Sequence, residues 1–206
     1  MHTDRRRRFV LLSLVVLAAL VTMASATLHS QAPRAVPLDD APSELAPAIA
    51  RAGEGMTALQ SALQDALMEA LASEGPVAAV HVCAREAYVL AAVTAEQQGI
   101  AIGRTSHALR NPKNAPRPWA AAIVAEGGSV PFARAHGWAV DLGDRVGVLQ
   151  PIQTRDTCII CHGAPAALPP EITAALGERY PEDRATGFAA GQVRGWLWAE
   201  VPKAGR

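Results

Sequence analysis

The first half of the chain contains two stretches in which hydrophobic residues recur every three to four positions. Between residues 53 and 73 they are Met56, Leu59, Leu63, Leu67 and Ala70. Between residues 76 and 98 they are Val80, Cys83, Ala87 and Leu90. Pro76 suits a first helical turn and Gly99 suits a helix end. This spacing predicts two α-helices, with Cys83 on the inward face of the second.

The second half of the chain is dominated by positions that alternate between apolar and polar. Alternation around residues 100–102 and 192–201 predicts strands, and two alternating runs within residues 138–151 predict a hairpin that turns at Gly143. In the last strand the alternation separates two sets of side chains, Val193, Leu197 and Val201 on one face and Arg194, Trp196 and Trp198 on the other. Short helices are expected at residues 118–126 and 171–176. Helices first and strands later predict an α+β fold, an antiparallel sheet backed by helices.

The N-terminal 26 residues have the pattern of a secretory signal peptide. Four arginines at 5–8 precede the apolar run 9–21, and Ala24-Ser25-Ala26 resembles a cleavage site. An uncleaved membrane anchor is the alternative, with membrane contact only through residues 9–26. Residues 27–52 are rich in proline and alanine and predict an extended linker. The folded domain is therefore expected at 53–206, outside the cytoplasm, in the periplasm.

Composition and charge narrow the range of functions. Half of the 206 residues are hydrophobic and 4% are aromatic, as in a globular chain with one core. Without residues 1–26, 15 basic and 18 acidic side chains remain, a net charge of −3. Nucleic-acid binding requires a concentrated basic face, so we do not expect it here.

The candidate chemistry lies in Cys158-Ile159-Ile160-Cys161-His162. Two thiols three residues apart, followed directly by a histidine, are typical of c-type haem attachment. Cys158 and Cys161 would each add to one vinyl group of a single haem, and His162 would be an axial ligand of its iron. The pattern predicts one covalently bound haem c, joined to the chain by a cytochrome c maturation apparatus.

Three other uses of the paired cysteines are less consistent with the sequence. The first is a disulfide between Cys158 and Cys161. A structural zinc site requires four ligands, whereas the chain has three cysteines and no second pair. A thioredoxin-like dithiol is expected near a helix start in a βαβ unit. Gly163, Pro165 and the pair Pro169-Pro170 instead predict a loop around the motif.

A polar segment, residues 103–116, precedes the hairpin and contains fixed prolines and asparagines. Such a loop is suited to binding. Arg104 and Arg110 could pair with the haem propionates, because a guanidinium matches the geometry of a carboxylate. Asn111 is the third candidate for this side of the pocket.

Ordered motifs across residues 55–200 resemble a family of exported single-haem c-type proteins, a domain family of unknown function. The matching motifs are Gly103-Arg104-Thr105-Ser106, Arg110-Asn111-Pro112, Asn114-Ala115-Pro116, Pro151-Ile152, Cys158-Ile159-Ile160-Cys161-His162-Gly163, Tyr180-Pro181 with Asp183, Ala185-Thr186-Gly187-Phe188, Gly191, and Arg194-Gly195. Phe188 departs from the tyrosine expected at its position. The resemblance implies a PAS-like fold around one haem.

The resemblance also implies the second axial ligand, a cysteine thiolate from an early helix, which here is Cys83. The residues themselves agree with this assignment but leave alternatives open. Cys83 is the cysteine that haem attachment does not use, and an odd cysteine in an exported protein requires an explanation. All four methionines precede the haem motif, where a common cytochrome c would have its methionine ligand after it. The remaining candidates are His107, His136 and Met68.

A thiolate ligand favours ferric iron and a low potential, and two occupied axial positions leave no place for substrate. The sequence therefore predicts a low-potential one-electron carrier with a redox partner protein, and not an enzyme. The alternative is a haem-based redox or gas sensor for CO or NO that acts through a partner protein.

Overall fold

A computed structural model describes residues 34–203 of the chain. The predicted signal peptide or membrane anchor at residues 1–26 lies outside this range. Within it, a five-stranded antiparallel sheet packs against helices, so the predicted α+β fold is confirmed. The sheet has the order β1-β3-β4-β5-β2, and its strands are β1 Ala35–Pro37, β2 Ala101–Thr105, β3 Trp138–Asp141, β4 Arg145–Gln153 and β5 Val193–Pro202.

The helices are α1 Ala46–Ser73, α2 Pro76–His81, α3 Ala87–Gln98, α4 Ala121–Glu126, α5 Asp156–His162 and α6 Pro170–Arg179. A π-helical segment, Val82–Glu86, joins α2 to α3, so that residues 76–98 form one continuous helix as predicted. The helix ends at Gly99, whose φ of 61° is a left-handed conformation that suits glycine. By length and composition alone this helix could cross a membrane. In the structure, Ala79 and Val82 pack against Ala70 of α1 in a buried cluster.

The segment 34–52 differs from the predicted linker. Ala35–Pro37 form β1, which pairs with the edge of β3, and α1 begins at Ala46 rather than at Gly53. Pro47 lies in the first turn of α1, where a helix needs no backbone N–H from it. Proline and alanine therefore mark the edge of the sheet and the start of a helix here.

The sheet has a buried apolar layer on each face. On one face, Met56 and Leu59 of α1 are fully buried against a cluster that includes Val146, Val148, Leu197, Ala199 and Val201. On the other face, Trp196 and Leu149 pack with Ala120 and Val124. From Trp196 onwards, successive side chains of β5 point to opposite faces of the sheet, as the sequence pattern predicts.

The alternation in β5 breaks at its first residues. Ile152 of β4 pairs with Gly195, whereas Gln153 pairs with Val193, so Arg194 is the extra residue of a β-bulge. The bulge places Val193 in the cluster of Trp196, and not with Leu197 and Val201 as expected from strict alternation. The bulge lies opposite Ile152 and Gln153 of β4, which shortly precede the haem motif in the chain.

Glu200 of β5 is a buried carboxylate, 5% exposed, on the Trp196 face of the sheet. It accepts hydrogen bonds from Arg117 Nε at 2.7 Å and Trp119 Nε1 at 2.9 Å. Burial alone would raise the pKa of Glu200, but these two donors outweigh it and hold that pKa below its usual value. Glu200 thus fixes the Arg117–Trp119 segment to the sheet in its ionised form.

We expect Glu200→Gln to lower the free energy of unfolding by about 1–3 kcal/mol at pH 7, because a bond to a charged acceptor is lost. A carboxylate with a depressed folded pKa contributes stability above its unfolded pKa of about 4.3 and loses it as pH falls further. The difference between wild type and variant should therefore shrink between pH 5 and 3, roughly the acid limb of that titration. Urea unfolding at both ends of this range, with exposed Glu54→Gln as control, measures it; an unchanged difference would contradict the assignment.

Candidate functional site

A cavity of about 260 Å³ lies between α1, the helix of residues 76–98, α5 and the adjoining ends of β2, β4 and β5. Its wall contains the residues that the sequence favoured for binding the haem and its iron: Cys83, Cys158, Cys161, His162, Arg104, Arg110 and Asn111. These residues come from three separate parts of the chain. The fold therefore brings the predicted site together in one place.

The haem motif itself forms α5, Asp156–His162, and the prediction of a loop at the motif was wrong. The helix is short because Pro165 and Pro169 follow closely, but Asp156 in its first turn favours it. In a helix, residues three apart lie on one face, so Cys158 and Cys161 can both face the cavity. All three cysteines of the chain are free thiols in the structure.

The imidazole of His162 is fixed by one hydrogen bond. Its Nδ1 lies 2.6 Å from the carbonyl oxygen of Ala185. A carbonyl only accepts, so Nδ1 carries the proton and Nε2 keeps its lone pair. Burial lowers the pKa of His162 well below its usual value, and the charges of Arg194 and Arg110 lower it further. The ring is therefore neutral at pH 7, which is the state of a metal ligand.

A second segment, residues 183–188, closes over the end of α5. Gly187 N donates to Gly163 O at 2.7 Å, and Phe188 N donates to His162 O at 2.9 Å. Gly187 has a φ of 84°, which glycine adopts without strain. The ring of Phe188 lies edge-on to that of His162 with centroids 6.3 Å apart. These contacts hold the backbone and the ring of His162 against this one segment.

Arg110 links α5 to this closing segment. Its Nε donates to Asp183 Oδ2 at 3.0 Å, and its Nη2 donates to the carbonyl oxygens of Cys161 and Ala185. The side chains of Arg110 and Asp183 are 9% and 11% exposed. Most of its donors are therefore used within the protein. The predicted propionate roles of Arg110, Arg104 and Asn111 stay predictions.

Cys83 lies in the π-helical segment Val82–Glu86, and its side chain lines the cavity. A π-helical turn inside an α-helix is rare and is frequently found at functional sites. Burial raises the pKa of the Cys161 thiol, Arg110 opposes this, and Cys83 and Cys158 raise it further, since the three sulfurs share one region. Burial also raises the pKa of Tyr180, another residue of the wall, to about 12.

The structure separates the candidates for the second axial position. His107 packs between the rings of Phe188 and Trp196 and is not part of the cavity wall. His136 is exposed in the segment before β3 and is also not part of the wall. Met68 of α1 does line the cavity, although it is 45% exposed. Of the four candidates, Cys83 and Met68 are thus at the cavity.

The sequence predicted no role for Arg194, which lines the cavity wall. Arg194 reaches the wall because the bulge in β5 turns it away from the face of Trp196. Thr105, at the end of β2, also borders the cavity, but it pairs with Trp196, so its side chain lies on the Trp196 face of the sheet. A charged residue in a mainly apolar strand was the signal available for Arg194.

Comparisons with known proteins agree with this fold. The model of the Tll0287-like family matches residues 16–202 of the chain. The crystal structure of the cyanobacterial haem protein Tll0287 matches with a TM-score of 0.53 at 22% sequence identity. The match covers 81% of this chain and 99% of that chain, and at this identity it shows the fold alone. No protein in the curated set matches the chain.

Proposed function

The chain belongs to the Tll0287-like family, and on this basis we propose that it is an exported mono-haem c-type cytochrome. One haem is attached through Cys158 and Cys161, with His162 and Cys83 as axial ligands of the iron. The protein carries single electrons at low potential in the periplasm, between redox partner proteins, and is not an enzyme. The description of a solved relative as a haem protein supports the cofactor.

The observation that carries the proposal is the state of His162. Its Nδ1 proton is engaged by Ala185, which leaves Nε2 as the donor atom, and the residue directly follows the second cysteine of the attachment motif. Second-shell hydrogen bonds of this kind orient metal-binding histidines and fix their tautomer. If His162 served only to pack the interior, its position directly after the two free thiols of the attachment motif would have no explanation.

The remaining residues of the cavity fit a haem. One part of the wall is apolar, including Leu63, Leu67 and Val80, and suits a flat macrocycle. Another part carries Arg104, Arg110 and Arg194, which suit carboxylates such as propionates. At this end of the cavity Arg194 Nε is buried without a hydrogen-bond partner in the described part of the chain, which also favours a polar ligand group there.

Haem iron supplies a one-electron couple, and the protein side chains determine how it behaves. His162 holds a neutral nitrogen donor in a fixed orientation, and Cys83 supplies a sulfur donor, which is deprotonated when it binds a metal. The negative charge of the thiolate favours the ferric state and lowers the potential. If both donors are bound, the iron would have no free coordination position for a substrate.

The proposal is tested by producing the full chain with and without a cytochrome c maturation apparatus. We expect a mass increase of one haem, absorption bands of a c-type protein and reversible one-electron reduction. Cys158→Ala/Cys161→Ala is the matched control and should lose covalent haem in denaturing gels. A colourless protein with the mass of bare polypeptide would contradict the proposed function.

A sensor of CO or NO that acts through a partner protein is the second candidate. The π-helical segment at Cys83 favours it, because π-helical turns are frequently found at functional sites and a local rearrangement there would move the thiol. CO titration of the ferrous protein separates the two functions. A stable CO adduct with loss of the thiolate spectrum indicates the sensor, whereas an unchanged six-coordinate spectrum indicates the carrier.

A further inference from the structure

Arg194 is aimed into the cavity by a feature of the backbone. It is the extra residue where β5 bulges against Ile152 and Gln153 of β4. Without the bulge, the alternation set by Leu197 and Val201 would place Arg194 on the opposite face of the sheet. Bulges commonly redirect a side chain next to functional sites. The bulge interrupts the regular backbone pairing of β4 and β5 at this point. Because this interruption turns Arg194 toward the cavity, we expect its guanidinium to have a role there.

Arg194 is half-buried, and its guanidinium has no hydrogen bond to a carboxylate within residues 34–203. Its Nη1 donates to Ser106 Oγ at 3.2 Å, and its Cζ lies 4.9 Å from the ring centroid of Phe188. Its Nε is buried and has no hydrogen-bond partner within residues 34–203. Burial, together with the charges of Arg110 and Arg104, lowers the pKa of Arg194 to about 10.

The carboxylate of Asp183, which lies in this region, already accepts hydrogen bonds from other groups. Asp183 accepts from Arg110 Nε with Oδ2 and from Ala185 N with Oδ1. A buried charge is normally paired, because an unpaired one loses its hydration without compensation. Arg194 Nε is therefore a donor of the cavity wall that lacks an acceptor in the described part of the chain, which points to an acceptor supplied by a ligand.

We propose that Arg194 binds a carboxylate of the ligand that fills the cavity. The inference rests on the proposed function, under which this carboxylate is a haem propionate. Arg194 takes this role rather than Arg110, because the Nε and Nη2 donors of Arg110 are engaged by Asp183, Cys161 and Ala185. The planar fork of a guanidinium suits a carboxylate, because two of its N–H groups can donate to the two oxygens.

The test compares purified holoproteins by resonance Raman spectroscopy, in which the propionate bending band reports hydrogen bonds to the propionates. We expect Arg194→Gln to shift this band and to lower the midpoint potential, because a positive charge near the iron is lost. Arg194→Lys should shift the band but retain most of the potential, since the charge stays and the fork is lost. Arg184→Gln removes an exposed arginine outside the cavity wall and should change neither.

Arg194→Lys retains the charge and keeps the test decisive if Arg194→Gln fails to accumulate. An unchanged band in whichever Arg194 variant carries haem would overturn the inference. Failure of the proposed function would be distinct from this result, because the wild-type protein itself would then carry no covalent haem.

Discussion

Cys83→Ala is expected to retain covalent haem, since Cys158 and Cys161 are unchanged, but to lose the thiolate signature of the ferric protein. Axial ligands set haem potentials over a range of about 0.8 V. Loss of a negatively charged donor removes the preference for ferric iron, so the midpoint potential should rise by about 0.1 V or more. Paramagnetic resonance and absorption of the ferric form, with redox titration, measure both changes.

The variant is a fair test because little else should change. Cys83 is half-buried, and an alanine there removes one sulfur atom facing the cavity. Met68→Leu is the matched control, since Met68 is the other candidate ligand at the cavity and leucine is close to it in volume. An unchanged ferric spectrum in Cys83→Ala together with a changed one in Met68→Leu would assign the position to Met68 instead.

The sequence predicted the elements that pattern and end signals define on their own. Helix 76–98 has an apolar stripe, a proline at its start and a glycine at its end, and its bounds were confirmed. The hairpin of β3 and β4 was likewise marked by alternation around a glycine turn. The predictions failed where contacts between distant parts of the chain determine the local structure. Proline-rich residues 35–37 form β1 because β3 offers an unpaired edge, which composition does not reveal.

The candidate site shows the same division. The spacing of the motif identifies Cys158, Cys161 and His162, and the odd number of cysteines draws attention to Cys83. All four residues could therefore be selected from the sequence, and the structure places them in the wall of one cavity. Arg194 could not, because strict alternation assigns it to the face of Trp196. A single extra residue in β5 reverses that assignment, and sequence patterns do not locate bulges.

The largest stability effect is expected at Arg110, which holds the C-terminal end of α5 to the segment that closes over it. Arg110→Gln leaves the Asp183 carboxylate buried without its counter-charge and removes the donors to the Cys161 and Ala185 carbonyls. Breaking a buried ion pair from one side costs about 3–5 kcal/mol. We expect a loss of this size in the free energy of unfolding, measured by urea denaturation at pH 7.

Two further variants distinguish the ion pair from general damage to the site. Arg110→Gln/Asp183→Asn removes both charges, and we expect it to recover part of the stability, because no unpaired charge is then buried. Lys203→Gln breaks the exposed pair with Asp141 and should cost about 1 kcal/mol or less. Since Ala185 also accepts from His162, Arg110→Gln should loosen the imidazole and broaden the ferric signals. A loss of stability no larger than that of Lys203→Gln would show that Arg110 does not hold α5 in place.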